Sequence, residues 1–191
     1  MKSLVKALPA LALAGLLGAC SSTPPLQFYT LGPLAPPPAS AAPASTGASL
    51  VVGPVSVPAT IDRLLIVRLA GSRADVAEHH RWAAPLKTEI ARRIAADLAR
   101  RSSYTRSVAW PQASIAEPTL SVPIDVQRFE ANGFERVTLE AVWTVRQAGR
   151  DLASRRFSAS EAITAPTYEA LASAHGRLVD ALAAEIAGAL P

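Results

Sequence analysis

Few residues in this chain are of types that do chemistry. Its 191 residues include one cysteine, Cys20, and three histidines, His79, His80 and His175. His79 and His80 are adjacent, so on a strand they point to opposite faces and cannot both ligate one metal ion. No Cys, His or Glu partner sits at metal-ligand spacing from them. His175 lies beside Gly176, close to the apolar stripe of a C-terminal helical pattern, and reads as a packed helix residue. The serines do not form a G-x-S-x-G elbow, and neither a phosphate-binding loop nor a dinucleotide glycine pattern occurs. The sequence therefore supports no catalytic residue, no metal and no cofactor, and the expectation is a protein that is not an enzyme.

Cys20 differs because its context gives the thiol a task. Lys2 and Lys6 precede an apolar run from Ala7 to Leu17, and Gly18-Ala19 lead into the cysteine. A positive start, a short apolar centre and small residues at the end form a secretory signal. Pro9 interrupts the run, which is too short to span a bilayer comfortably as a mature helix. Leu17-Gly18-Ala19-Cys20 resembles the lipobox of bacterial lipoproteins, in which a peptidase cuts before the cysteine. The thiol and the new amino group then carry acyl chains such as palmitate. The thiol must be free for this, and small neighbours let the backbone enter a narrow protease site. Each buried methylene adds about 0.8 kcal/mol of membrane affinity, and two or more chains anchor stably. By the same resemblance, Ser21 in place of aspartate after the cysteine implies sorting to the outer membrane.

Removal of residues 1–19 takes Lys2 and Lys6 with it, so 19 basic residues become 17 against 15 acidic. The formal charge of +4 thus belongs partly to the leader. Without a basic run or an aromatic platform, no nucleic acid is expected as a partner. Lys87 is the one lysine left in the mature chain. With a single, acylated cysteine no disulfide holds the fold, and hydrophobic burial must.

The elements that would carry this anchor follow in order. Residues 20–26 form a lipidated start and short tether, with a reach of about 20 Å when extended. Gln27-Phe28-Tyr29-Thr30-Leu31 reads as a strand, and residues 32–48 are rich in Pro, Ala and Ser. Either this strand belongs to the domain and the Pro/Ala stretch is a loop, or the domain starts near Ser49. The first is favoured, because Phe28, Tyr29 and Leu31 would otherwise have nowhere to bury; the domain then spans 27–191.

Residues 49–57, 64–69 and 75–81 read as strands, the first interrupted by Gly53-Pro54. From 85 to 101 the apolar residues Leu86, Ile90, Ile94 and Leu98 recur every four, which predicts an amphipathic helix. Its other side carries Arg92, Arg93, Arg100 and Arg101, read as a solvated face balanced by Glu89/Arg93 and Asp97/Arg101 pairs. Residues 107–110 form a short strand or loop. Leu120, Val122, Ile124 and Val126 alternate with other residues up to the Asn132-Gly133 turn. Val137, Leu139, Ala141, Trp143 and Val145 then give the clearest strand, and Gly149-Arg150 turn the chain into 151–162. The helical period returns over 167–190 with Leu171, Ala174, Leu178, Leu182 and Ile186. Trp82 is expected to plug the core; Trp110 and Phe134, in or near loops, are the candidates for exposed contact. The expected fold is one α/β domain of the α+β type: a mixed, mostly antiparallel sheet with two long amphipathic helices packed on it.

Several segments, taken in order, resemble the ABC-type transport auxiliary lipoprotein family. They are Phe28-Tyr29-Thr30-Leu31, Val52-Gly53-Pro54-Val55, Ile61-Asp62-Arg63 before a strand reaching Arg68, and Arg81-Trp82-Ala83-Ala84-Pro85-Leu86. Val126 through Phe129-Glu130, Leu139-Glu140-Ala141-Val142-Trp143 and the helix from Tyr168 complete the set. Thr30-Leu31 departs from the family's usual Leu-Leu after the tyrosine. The resemblance implies a non-enzymatic accessory lipoprotein on the periplasmic side of the outer membrane. Its partner would be an MCE-domain protein and, through it, an inner-membrane permease and ATPase, in transport of lipid or other hydrophobic molecules between membranes. A homo-oligomer around such a conduit would be compatible. Only Cys20 carries over as a site residue. The rival expectation is a stand-alone periplasmic lipoprotein that binds lipid or cell-wall material.

Overall fold

The computed structural model describes residues 24–34, 36 and 47–191. Cys20 and most of the Pro/Ala stretch lie outside them. The alternating apolar residues build β1 (Gln27–Tyr29), β2 (Ser49–Ser56), β3 (Leu65–Ala70), β4 (Arg73–Trp82), β5 (Arg106–Ala109), β6 (Leu120–Asn132), β7 (Arg136–Gln147) and β8 (Arg150–Ala162). The two stretches of helical period become α1 (Leu86–Arg101) and α2 (Tyr168–Ala187). Thr167 caps α2, its hydroxyl oxygen accepting from the Ala170 amide at 3.2 Å, which satisfies one of the free amides of the first turn.

β6 is the spine. One of its edges pairs antiparallel with β7 along nearly its whole length. The other edge is shared end to end: β2 runs parallel to its first half, with Leu50 opposite Leu120 and Ser56 opposite Asp125. β3 runs parallel to its last residues, with Arg68 opposite Ala131. From there the sheet continues through β4, antiparallel to β3, to β1, parallel to β4. On the other side β5 lies parallel to β2. The sheet is mixed as expected, and its long ladders, β6–β7 and β7–β8, are antiparallel.

The core lies between one face of this sheet and the helices. Val137, Leu139, Ala141, Trp143 and Val145 are all at most 1% exposed, as their alternation predicts. On β6 the alternation holds from Leu120 to Val126 and then shifts by one, so that Phe129 and Ala131 are buried. A bulge between Val126 and Arg128 causes the shift, because one extra residue moves every later side chain to the other face. A second bulge on β2 follows Val52, at the Gly53-Pro54 step. Gly53 is required there: its φ is +118° and an added Cβ would lie 3.0 Å from the Cβ of Trp110.

α1 buries Leu86, Ile90, Ala91, Ile94, Ala95 and Leu98 against β2 and β5. Each such leucine or isoleucine contributes about 1.5–3 kcal/mol of burial. The expected solvated arginine face is partly overturned. Arg92 is exposed, but Arg93 is buried and pairs with Asp180 of α2 rather than with Glu89. Asp97 is fully buried and takes both Arg100, at 2.7 Å, and Arg101. α2 is buried on more than one side because it meets the sheet, α1 and β1. Its polar residues His175 and Asp180 are therefore inside.

Candidate functional site

The described N-terminal segment joins the sheet within a few residues of Pro24. After Pro24 and Pro25, β1 pairs with β4 in the register Gln27–His80, Phe28–Arg81 and Tyr29–Trp82. The Ala83 amide donates to the Tyr29 carbonyl at 2.7 Å and extends the pairing by one bond. Leu31 then drops into the core, 2% exposed.

Three carbonyls follow one another here, those of Leu31, Gly32 and Pro33, and all point at Arg93. Its Nη1 donates to Leu31 at 3.0 Å and to Gly32 at 2.7 Å, and its Nη2 donates to Pro33 at 2.9 Å. Nε and Nη2 hold the two oxygens of Asp180 at 2.7 and 2.8 Å. All five guanidinium N–H donors are thus used. The planar fork of arginine matches carboxylate geometry in a way a lysine ammonium cannot. Burying the pair is costly, and the full set of hydrogen bonds offsets that cost.

α2 must come close to the segment for this to work, and Gly176 permits it. A Cβ at position 176 would lie 1.9 Å from the Leu31 carbonyl oxygen. Next to it, His175 is 3% exposed, with its ring edge-on to Trp82 at 5.3 Å and to Phe129 at 4.6 Å. Its Nδ1 lies 2.9 Å from the Leu171 carbonyl, so Nδ1–H donates there. Burial pushes its pKa down to about 4, against a smaller upward effect of that bond, and the ring is neutral at pH 7. His175 is therefore a packed helix residue, and Trp82, 3% exposed, plugs the core beside it, both as read from the sequence.

An aromatic cluster caps the entry point. His80 stacks on Tyr168 with centroids 3.7 Å apart, Tyr29 lies 6.1 Å from Tyr168, and Phe134 meets Tyr168 edge-on at 5.2 Å. Arg68 lies 4.3 Å above the Phe134 ring. The Tyr29 hydroxyl donates to Gln27 Oε1 at 2.6 Å, so His80 Nδ1–H donates to the hydroxyl oxygen at 2.8 Å. Desolvation, then His79 and Arg68, hold the His80 pKa below its usual value, while burial, Tyr168 and Glu169 raise that of Tyr29. A groove of about 580 Å³ runs between β1 and the first turn of α2, lined by Phe28, Tyr29, His80, Thr167, Tyr168 and Ser173 among others. Phe134, expected to be exposed, is half-buried in this cluster, because Arg68 and Tyr168 cover its ring. Trp110 is exposed, at 53%.

Of the residues singled out in the sequence, the structure brings His80 and His175 to this end of α2 and separates them by environment, one in the groove wall and one in the core. His79 is half-buried with its Nδ1 unpartnered. Among the described residues, no group of three His, Cys, Asp or Glu could hold a metal ion, and no helix is long and apolar enough to cross a membrane. The pairing of Arg93 with Asp180 and the close approach at Gly176 escaped the sequence reading. Their signal was a glycine in mid-helix followed four residues later by an aspartate, on a face that should be apolar.

The architecture matches known proteins. Residues 29–187 match the model of the ABC-type transport auxiliary lipoprotein component family. The chain belongs to this family. A protein solved without characterisation has the same fold, at TM-score 0.70 and 17% identity, over 86% of this chain and 98% of its own. A Xanthomonas campestris protein of the DUF330 family gives TM-score 0.66 and 20% identity, over 85% and 92% of the two chains. At these identities the two structures share the fold. No curated protein sequence matches the chain. The family is one of transport auxiliary components, not of known enzymes, and its members are described as lipoproteins.

Proposed function

We propose that this family member is a non-enzymatic subunit of an envelope-spanning transport system, acylated at Cys20 and held on the periplasmic side of the outer membrane. There it docks the conduit of an MCE-domain protein, which connects to an inner-membrane permease and ATPase. Lipid or another hydrophobic molecule is the cargo class that suits such a system.

The observation that carries this reading is the grip on the N-terminal segment. β1 begins seven residues after Cys20, and Arg93, Asp180 and Gly176 fix the chain at Leu31 to Pro33. A protein that needed its lipid only to avoid loss would do as well on a long, loose tether. A domain bound so near its anchor is kept within about 20 Å of the membrane, which suits a docking subunit.

The test has two parts. Cys20→Ser is expected to leave the domain folded and move it from the membrane pellet to the soluble periplasmic fraction; full retention in the pellet would overturn the anchor. Tagged wild-type protein is expected to co-purify an MCE-domain protein from detergent-solubilised envelopes. Recovery of the tagged protein alone would return the reading to a stand-alone binding module.

A further inference from the structure

We propose that the end of the domain formed by β1, the first turn of α2 and the β6–β7 turn rests on the bilayer, with Leu26 and Phe28 entering the headgroup layer. This rests on the acylation of Cys20 proposed above and adds an orientation to it.

Leu26 is 46% exposed, and Phe28, expected from the sequence to bury with Leu31, is 60% exposed. The other exposed large apolar side chains among the described residues sit singly: Val76 on β4, Leu152 on β8, Leu64 just before β3 and Trp110 just after β5. Single exposed residues of this kind are ordinary. Leu26 and Phe28 are not single: they lie two residues apart and follow Cys20 by six and eight residues. Those lengths of chain reach about 22 Å to Leu26 and about 29 Å to Phe28 at most, so an acylated Cys20 keeps both side chains within that distance of the membrane.

Their surroundings suit an interface. Phe28 lines the same groove as Tyr29, Tyr168 and His80, rings with an apolar body and a polar edge, the type favoured where membrane meets water. The charges at this end come in both signs: Arg81 opposite Phe28 in the ladder, Arg68 over the Phe134 ring, Glu169 beside Tyr29, and Glu135 and Arg136 next to Phe134. A contact made here is therefore apolar rather than ionic. Two side chains would bind a membrane too weakly from free solution, but the acyl chains make their entry intramolecular, and a high effective concentration then suffices.

The acylated full-length protein offers a clean probe, because Cys20 is the only native cysteine and acylation blocks its thiol. Phe28→Cys and, separately, Trp110→Cys are labelled with an environment-sensitive fluorophore. Both are reconstituted into phosphatidylethanolamine/phosphatidylglycerol vesicles carrying nitroxide-labelled lipid. The label at 28 is expected to shift to the blue and to be quenched, and to stay so in high salt. The label at 110, on a residue of similar exposure, is expected to behave as in water. Adding Leu26→Glu to Phe28→Cys is expected to abolish the quenching while the protein still floats with the vesicles. Flotation with no quenching at 28, or with equal quenching at 28 and 110, overturns the orientation and leaves the anchor standing. Quenching that survives Leu26→Glu unchanged reduces the contact to mere proximity and overturns insertion. Failure to float overturns the anchor, and the orientation with it.

Discussion

The β6–β7–β8 meander and the N-terminal segment are held to the same domain by opposite means. The meander has ladders of a dozen residues and an inner face of valine, leucine, tryptophan and phenylalanine. Its cohesion is spread over many contacts that do not depend on direction. The N-terminal segment has three paired residues, one buried leucine and a guanidinium whose five donors are all committed. Its cohesion is concentrated in Arg93, Asp180 and Gly176, and depends on geometry. Diffuse burial makes a region stable; a few directional bonds place it, and fail together.

Arg93→Met should have the largest effect. It strands the Asp180 carboxylate in the core and removes the donors of three carbonyls, at a cost of about 3–5 kcal/mol in urea unfolding. The double variant Arg93→Met/Asp180→Leu sharpens the contrast. It is expected to regain most of that stability, yet hydrogen exchange should find the amides of β1 fast and those of β7 protected. If β1 stays as protected as in the wild type, the guanidinium is not what holds the segment.

His175 sits where the two regions meet, between Trp82 of β4 and Phe129 of β6. Its folded pKa of about 4 lies below the usual 6.5. The unfolded chain therefore takes up the proton first as pH falls. Its contribution is intact above pH 6.5 and is lost between 6.5 and 4, by about 3 kcal/mol in all. Denaturation midpoints at pH 7, 5.5 and 4.5 should fall accordingly, and His175→Leu should flatten that fall. An equally steep decline in the variant would assign the acid sensitivity elsewhere.

Gly176→Ala forces α2 and Leu31 apart and is expected to cost about 1–3 kcal/mol. Exchange should again rise in β1 before it rises in β7. At the bottom of the scale, Arg146→Ala removes the exposed pair with Asp151 at the end of the meander. A midpoint change worth less than about 1 kcal/mol is expected. A larger loss would mean that the meander, too, leans on directional contacts.

What the sequence made legible follows the same division. The meander and both helices could be read because their apolar residues recur at period 2 or near 3.6, a signal carried within each element. The pairing of Arg93 with Asp180 joins positions 87 apart, and no local rule finds it. The nearer partner Glu89 looked sufficient, but Arg93 is buried on the side that faces α2, so the local pair does not form. The sharing of one β6 edge by β2 and β3 was equally hidden, since strand order is set by how loops close and not by the strands' own pattern. The shift after Val126 was hidden because a bulge leaves the composition of a strand unchanged.

The parallel pairing of β1 with β4 has a mechanical side. Tension applied along the axis of β1 would load its pairing with β4 lengthwise. Loaded lengthwise, the ladder bonds, the buried Leu31 side chain and the three carbonyl contacts to Arg93 stretch in unison, as a lap joint does in shear. Loaded from the side, they would peel one after another under a smaller force. With Cys20 acylated as proposed, the domain's resistance to being torn from a membrane would depend on the direction of the pull as well as on its stability.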